Sequence, residues 1–241
     1  MPDLVQGMSE TIPGTASWGQ PPEPLIHVRE ARYGYPSGGF ELRVGELRVD
    51  TGDQMAITGR SGAGKTTLLH LLAGLLVPDR GSVRFHGFEL GRLSGGDRQD
   101  LRVLKVGLVF QEFELLEYLD VLDNVLLPYR ISPILELTSD VRARAVSLVR
   151  EVGLGDKLGR RPAQLSQGER QRVAVARALI TRPAVVLGDE PTGNLDPDIR
   201  DQVMDILFEY ATASGAPLVV VSHDREVVER FASVRDLATL S

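Results

Sequence analysis

The chain has 241 residues, 42% of them hydrophobic and 25% charged, which suits one large globular domain with its own core. It contains no cysteine, so disulfides, thiolate metal sites and cysteine nucleophiles are excluded. The net charge of −6 argues against general nucleic-acid binding. No apolar run is long enough to cross a membrane, and the N-terminus lacks the pattern of a signal peptide. Any role at a membrane must therefore depend on a partner.

The first 24 residues are rich in small and polar types and predict a disordered tail. From Leu25 the pattern predicts short antiparallel strands at Ile26–Val28, Phe40–Val44 and Leu47–Val49, with Gly45 between the last two. Residues 33–39 predict a turn-rich link, and residues 81–87 a further strand.

The segment from Gly59 to Thr66 reads GRSGAGKT, which is the phosphate-binding loop pattern. A strand-like run precedes it, and leucines at helical spacing follow it as far as Gly74. Glycines let backbone N–H groups approach a polyphosphate closely, and the following helix directs its positive dipole end at the same charge. We expect Lys65 to reach the β- and γ-phosphates and the Thr66 hydroxyl to bind Mg²⁺. The other nucleotide-binding residues predicted here are Gly59, Ser61, Gly62, Ala63, Gly64 and Thr67.

The middle of the chain changes character. Residues 95–97 predict a loop, a short helix lies near Leu101, and residues 106–110 predict a strand buried on both faces. Residues 112–165 are mostly helical in pattern and predict an inserted helical subdomain, with Ser139 as a helix cap and Pro128 and Pro133 as breaks.

The last third alternates helices and apolar strands, which predicts a parallel sheet covered on both faces. Two carboxylates, Asp189 and Glu190, follow one of these strands, at the edge where such sheets bind ligands. Asp189 can hold hydrated Mg²⁺, and Glu190 can orient or deprotonate an attacking water.

Taken together, the motifs resemble those of the ATPase subunit of ATP-binding cassette (ABC) proteins. The resemblance covers Leu25 to about Phe231. It rests on GRSGAGKT, Gln111, LSQGE at residues 165–169, VVLGDE at residues 185–190, NLD at residues 194–196, and His223. It implies an α/β fold: a P-loop NTPase three-layer core with a mainly parallel sheet, an N-terminal antiparallel β subdomain and the helical insert. The implied cassette spans residues 25–241.

The resemblance also implies roles for individual residues. Gln111 would sense Mg²⁺ and the γ-phosphate, and His223 would contact the γ-phosphate. Tyr35 would stack on adenine, with Tyr33 as the competing assignment and simple strand packing as the alternative to both.

The LSQGE segment has two interpretations that can both hold. Ser166 and Glu169 form the pattern of a helix capping box. In the family, this segment binds the γ-phosphate of the nucleotide in the opposite subunit, which would involve Ser166, Gly168 and Glu169. The chain departs from the usual sequence motif of the family at Gln167, where glycine is common, and at Glu169, where glutamine is common. Asp196 likewise resembles a helix cap before Pro197, and the family uses this aspartate at the dimer interface.

The family mechanism implies that two subunits, identical or homologous, enclose two ATP and Mg²⁺ head to tail and separate after hydrolysis. The local sequence is most similar to that of the lipoprotein-release and macrolide-efflux group around Gln111, Leu115–Leu116, Asn124–Val125 and residues 190–196. That group implies a peripheral position on the cytoplasmic face, beneath an integral-membrane permease, with an export or mechanical role.

Phe113, Leu115 and Leu116 are candidates for the permease contact or for the core of the insert. The alternative function is a soluble ABC ATPase switch that acts on a protein or nucleic-acid partner. A small-molecule kinase would leave LSQGE and His223 unexplained. We expect no direct nucleic-acid binding and, since the chain ends soon after Phe231, no accessory C-terminal domain.

Overall fold

A computed structural model describes residues 24–36, 38–193 and 195–240. The predicted tail, except Pro24, lies outside the described residues, as does Asn194 of the NLD segment. The described strands are β1 (Ile26–Gly34), β2 (Glu41–Val49), β3 (Gln54–Thr58), β4 (Arg80–Phe85), β5 (Phe88–Glu89), β6 (Val106–Val109), β7 (Val185–Asp189), β8 (Leu218–Val221) and β9 (Ser233–Asp236). The described α-helices are α1 (Lys65–Leu72), α2 (Gly95–Lys105), α3 (Val121–Val125), α4 (Leu127–Ile131), α5 (Ser139–Glu151), α6 (Gln167–Leu179), α7 (Pro197–Ser214) and α8 (Arg225–Val228). Short 3₁₀ turns lie at Leu90–Arg92, Pro162–Gln164 and Leu237–Leu240.

The strands form two sheets, as predicted. One is antiparallel in the order β2-β1-β4-β5. The other is parallel in the order β6-β7-β8-β3-β9. The α/β prediction, with a parallel sheet and a separate antiparallel sheet, is confirmed. Because all strands of the second sheet run the same way, β3, β6, β7 and β8 end at one edge. The phosphate loop, Gln111, Glu190 and His223 follow these ends.

The antiparallel sheet differs from the prediction at two glycines. β1 runs to Gly34, so the predicted link beginning at residue 33 starts too early. β2 runs through Gly45 without a break, and the residues on both sides of it pair with β1, Val44 with Ala31 and Glu46 with Arg29. The edge strand β9 was not predicted, because its side chains are half-buried or exposed and give no apolar alternation.

Two helix starts also differ from the prediction. The predicted loop at residues 95–97 is the first turn of α2, because the Ser94 side chain accepts a hydrogen bond from the Asp97 amide and caps it. The cap of α5 is Thr138 rather than Ser139, and its hydroxyl accepts from the Val141 amide. Pro128 lies in the first turn of α4, where its missing N–H costs nothing, and the preceding helix α3 ends three residues before it.

The core has three parts. One lies between the antiparallel sheet, α1 and one face of the parallel sheet, and a second lies between the other face, α6 and α7. The third joins α3, α5 and α6 in the helical insert. Helix α6 contributes to the last two, with Val175 and Leu179 toward the sheet and Val173 and Ala176 toward the insert. It is therefore the structural link between the insert and the sheet.

Candidate nucleotide site

The loop between β3 and α1 has the backbone of a phosphate cradle. Gly59, Gly62 and Gly64 have φ values of 154°, 75° and 101°, a region that side chains other than glycine rarely adopt. At Gly64 a Cβ would also lie 2.5 Å from the Phe40 ring, so this position excludes any side chain. The loop can therefore curl around an anion with its N–H groups turned inward.

Lys65 spans this loop. Its ammonium Nζ donates to the carbonyl oxygens of Gly59 at 2.9 Å and Arg60 at 3.2 Å. Because the same side chain starts α1, it places a positive charge at the positive end of the helix dipole. The arrangement favours a polyphosphate.

A cavity of about 440 Å³ opens beside the loop. It is lined by Tyr35, Phe40, Ser61, Gly62, Gly64, Lys65, Thr66, Thr67, Gln111, Asp189 and Glu190. Two other predicted residues, Gly59 and Ala63, line a depression on the far side of the loop near Leu237. The chain thus brings most of the predicted nucleotide and metal residues to one cavity.

The aromatic wall of the cavity is formed by Tyr35 and Phe40, whose ring centroids are 6.1 Å apart. Tyr35 is 38% exposed, and its hydroxyl lies 3.2 Å from the Thr67 hydroxyl. Tyr33 packs against the core and holds the Tyr35 ring edge to face. This placement favours Tyr35 over Tyr33 as the base-stacking residue. Phe40 was missed, because an aromatic at a strand start carries no signal for a ligand.

Asp189 lies at the end of β7 and lines the cavity together with Thr66. Burial raises the pKa of the Asp189 carboxyl, and the neighbouring Glu190 adds to this, while Thr66, His70 and Lys65 oppose it. A raised pKa means that the anion lacks solvation, so a cation would be bound favourably here. Among the described residues, no group of three or more histidine or acidic side chains is placed so that it could hold a metal ion. At nucleotide sites Mg²⁺ takes few protein ligands and completes its shell with phosphate and water.

Glu190 is tied to the end of β8. Its carboxylate accepts from the His223 backbone N–H at 3.1 Å and from the Ser222 hydroxyl at 3.1 Å, and it lies 2.6 Å from His223 Nδ1. Since a carboxylate only accepts, Nδ1 carries the proton. Glu190 has a φ of 46°, in the left-handed region. Glu190, the predicted base, and His223, the predicted γ-phosphate contact, are therefore joined by hydrogen bonds.

Gln111 follows β6 and lies over the segment after Glu190. A Cβ at Gly193 would lie 3.0 Å from the Gln111 side-chain nitrogen. The chain after Gln111 is held by Arg177 of α6, which donates to the carbonyl of Phe113 at 2.9 Å and to that of Glu114. Helix α6 therefore fixes the segment that carries Gln111.

The LSQGE segment does not line the cavity. Ser166 caps α6, and Glu169 completes a capping box by accepting from the Ser166 backbone N–H at 2.9 Å. Glu169 also pairs with Lys157, and this pair, followed by the backbone hydrogen bond, lowers the pKa of the carboxyl. Its carboxylate is thus engaged within its own subunit.

Gly168 is buried against α7, where a Cβ would lie 2.3 Å from Ile199 Cγ2. Asp196 caps α7 by accepting from the Ile199 N–H at 3.3 Å. Both residues therefore have a structural role, and their predicted contacts with a nucleotide or a second subunit stay predictions.

A protein-family model described as ABC transporter matches residues 42–193. The chain belongs to the ABC transporter family. It is an ATP-binding cassette ATPase, and the resemblance drawn from its motifs is confirmed.

Two similar proteins are both named for a lipoprotein-releasing system, the group that the motifs indicate. The lipoprotein-releasing system ATP-binding protein LolD of Xanthomonas campestris is 45% identical over 192 residues, 80% of each chain. The protein of the same name from Alcanivorax borkumensis is 42% identical over 210 residues, 86% of this chain and 91% of its own.

A solved cassette in a post-hydrolysis dimer with ADP and phosphate has a TM-score of 0.78 and 29% identity. The match covers 88% of this chain and 93% of that one. A dimeric bacterial ABC transporter cassette gives the same TM-score, 30% identity and the same coverage. These similarities favour the transporter ATPase over the alternative of a switch without a permease.

Proposed function

We propose that this chain is the ATPase subunit of a lipoprotein-releasing type of membrane machine, in which two cassettes bind two ATP and two Mg²⁺ and drive an integral-membrane permease from its cytoplasmic face. The observation that carries the proposal is the single cavity that joins Lys65, Thr66, Gln111, Asp189 and Glu190. Lys65 would hold the phosphates, Thr66, Gln111 and Asp189 would hold Mg²⁺, and Glu190 would act on the attacking water. Residues 25–241 form the cassette, with residues 112–165 as its helical part.

The dimer is supported by the position of the LSQGE segment. Ser166 is exposed at the start of a 13-residue helix and lies outside the cavity of its own subunit. A helix N-terminus with a serine hydroxyl suits a phosphate. A second copy, or a homologue, would present this end to the nucleotide, as expected for a two-fold assembly. The two similar solved cassettes are described as dimeric, which agrees with the proposal.

The permease contact is supported by an apolar groove beside the Gln111 segment. The groove has a volume of about 470 Å³ and lies between edge strand β6, α4 and α6. Phe110, Leu127, Pro128 and Ile131 contribute to it, and Ile131 is 65% exposed. Of the three residues first considered for this contact, Leu115 packs on the core of the helical part instead. No described helix is long and apolar enough to cross a membrane.

The test is recovery of tagged Glu190→Gln protein from gently solubilised native membranes with ATP present. We expect a polytopic membrane protein at about one per two cassettes. The matched control is Ile131→Asp in the same background, which should bind a fluorescent ATP analogue normally and lose the membrane protein. Recovery without any membrane protein, or equal recovery with Ile131→Asp, would count against the proposal.

A further inference from the structure

Gln171 is a buried polar side chain that the functional motifs do not include. It lies in the first half of α6 and is 1% exposed. Its side-chain nitrogen Nε2 donates to the Phe110 carbonyl at 3.2 Å and also to the Pro191 carbonyl. Both hydrogens of the amide are therefore used.

The two acceptor residues are each adjacent in sequence to a predicted site residue. Phe110 directly precedes Gln111 and lies beyond the end of β6, while Pro191 directly follows Glu190 and lies beyond the end of β7. The sheet ladder does not extend to either residue. One side-chain amide thus links the two strand exits that carry Gln111 and Glu190.

The orientation of this amide is fixed by its partners. Both are carbonyls, so only the NH₂ group can face them. The Gln171 oxygen Oε1 is buried and has no hydrogen-bond partner among the described residues. Leaving a buried acceptor unpaired is unfavourable. The side chain nevertheless keeps this position, which shows that the two carbonyl contacts determine it.

We propose that Gln171 is a positioning residue for ATP hydrolysis, which holds the Gln111 and Glu190 segments at a fixed spacing and ties both to the helix that begins at Ser166. Ser166 lies five positions before Gln171 on the same rigid element. A shift of this helix, when Ser166 meets the partner's nucleotide, moves both strand exits together. The inference rests on the proposed function, because Gln111 and Glu190 need their proposed roles for the spacing to matter.

The experiment measures steady-state ATP hydrolysis and equilibrium binding of a fluorescent ATP analogue for Gln171→Met, which keeps the length and loses both donors. We expect the analogue Kd to stay within about threefold of the wild type while kcat falls at least about tenfold, since a misplacement near 1 Å carries losses of that size. The control is Gln202→Met, an exposed glutamine whose amide oxygen accepts from Arg172, and its kcat should equal that of the wild type.

Gln171→Asn is the second variant. It keeps an amide at the site, but it is one methylene shorter and cannot span both carbonyls. If Gln171→Met shows no cooperative thermal transition, the same two thresholds apply to Gln171→Asn. A kcat within about twofold of the wild type, or equal losses in kcat and analogue affinity, would overturn the inference.

The wild type and Lys65→Ala are measured in the same assay. A wild-type rate no higher than that of Lys65→Ala would overturn the proposed nucleotide site, and the inference with it. A normal wild-type rate with an unaffected Gln171 variant overturns the inference alone.

Discussion

His223 Nδ1 lies 2.6 Å from the Glu190 carboxylate, and the backbone N–H of the same histidine donates to that carboxylate at 3.1 Å. The two residues lie just beyond the ends of neighbouring parallel strands, β7 and β8, and these ends are aligned because Asp189 pairs with Val221. Because Nδ1 is engaged, Nε2 is the ring nitrogen left to face a phosphate. Any movement of the β8 end is therefore transmitted directly to the proposed base.

Glu190→Gln should remove hydrolysis and retain ATP binding. The amide keeps the size of the side chain. Its oxygen can accept from the His223 N–H and Nδ1–H, and its NH₂ group can donate to the Ser222 hydroxyl oxygen, so the segment should keep its geometry. Loss of a general base predicts a fall in kcat of at least about 100-fold. Light scattering with ATP and Mg²⁺ should show a dimer, and the Lys65→Ala/Glu190→Gln double variant should stay monomeric. A single variant that remains monomeric would contradict the dimer mechanism.

Lys65→Ala should weaken nucleotide binding. The change removes the ammonium that contacts the Gly59 and Arg60 carbonyls and closes the loop. Loss of a charge-assisted phosphate contact predicts a rise in the Kd of a fluorescent ATP analogue of at least about tenfold. Arg92→Ala is the control, because it removes one positive charge from an 80% exposed side chain outside the cavity. Equal affinities of the two variants would refute the assigned role.

Asp189→Asn should stabilise the protein without nucleotide and impair hydrolysis. Burial raises the pKa of this carboxyl, so the charged form is less stable in the folded state than in the unfolded state. The penalty grows as the pH rises from the unfolded pKa toward the raised folded pKa, and it disappears at a pH below the unfolded pKa. The thermal midpoint at pH 7 should rise, while kcat at saturating Mg²⁺ should fall at least about tenfold. A lower thermal midpoint at pH 7 would show that the Asp189 charge does not destabilise the folded state at that pH.

Lys157→Met should destabilise the cassette in a pH-dependent way. The Lys157 contact and the Ser166 N–H lower the pKa of the Glu169 carboxyl below its ordinary value of 4.5. Its stabilising effect is thus complete above the unfolded pKa and is lost as pH falls through the folded pKa. Urea unfolding should show a loss of about 1 kcal/mol at pH 7 that shrinks below pH 4.5. A loss that is independent of pH would indicate packing of the lysine stem instead.

Gly168→Ala should destabilise the contact between α6 and α7. The new Cβ would lie 2.3 Å from Ile199 Cγ2, so one of the two helices must shift. Overpacking of this kind costs about 1–3 kcal/mol in unfolding free energy. The Gly168→Ala/Ile199→Ala double variant removes the clash and should recover part of this loss beyond additivity. Strict additivity of the two changes would show that the two side chains do not compete for the same space.

The sequence was most informative where local chemistry determines structure. The phosphate loop, the capping box at Ser166 and the apolar strand before Asp189 each combine a pattern with its own physical cause, so their places in the fold could be predicted. The predictions failed where tertiary contacts decide. Gly45 lies within a strand because the residues on both sides of it pair with β1, and β9 forms because β3 offers a free edge.

The same distinction applies to the site. Gln111, Asp189 and Glu190 were assigned from motifs and share a cavity, whereas Phe40 and Gln171 had no local signal. The Phe40 ring can line the cavity because Gly64 has no Cβ that would clash with it. Gln171 can contact both strand exits because two strands from distant parts of the chain end beside it. Relationships of this kind require the three-dimensional arrangement.

The left-handed backbone at Glu190 affects how this position can vary during evolution. At a φ of 46°, glycine or asparagine would relieve about 1 kcal/mol of backbone strain that glutamate carries. Substitution toward those residues would relieve this strain but lose the hydrogen bonds that the carboxylate accepts from the Ser222 hydroxyl and the His223 N–H. The folded state therefore offers these hydrogen bonds, besides the need for turnover, as a reason to keep a glutamate in an unfavourable backbone conformation.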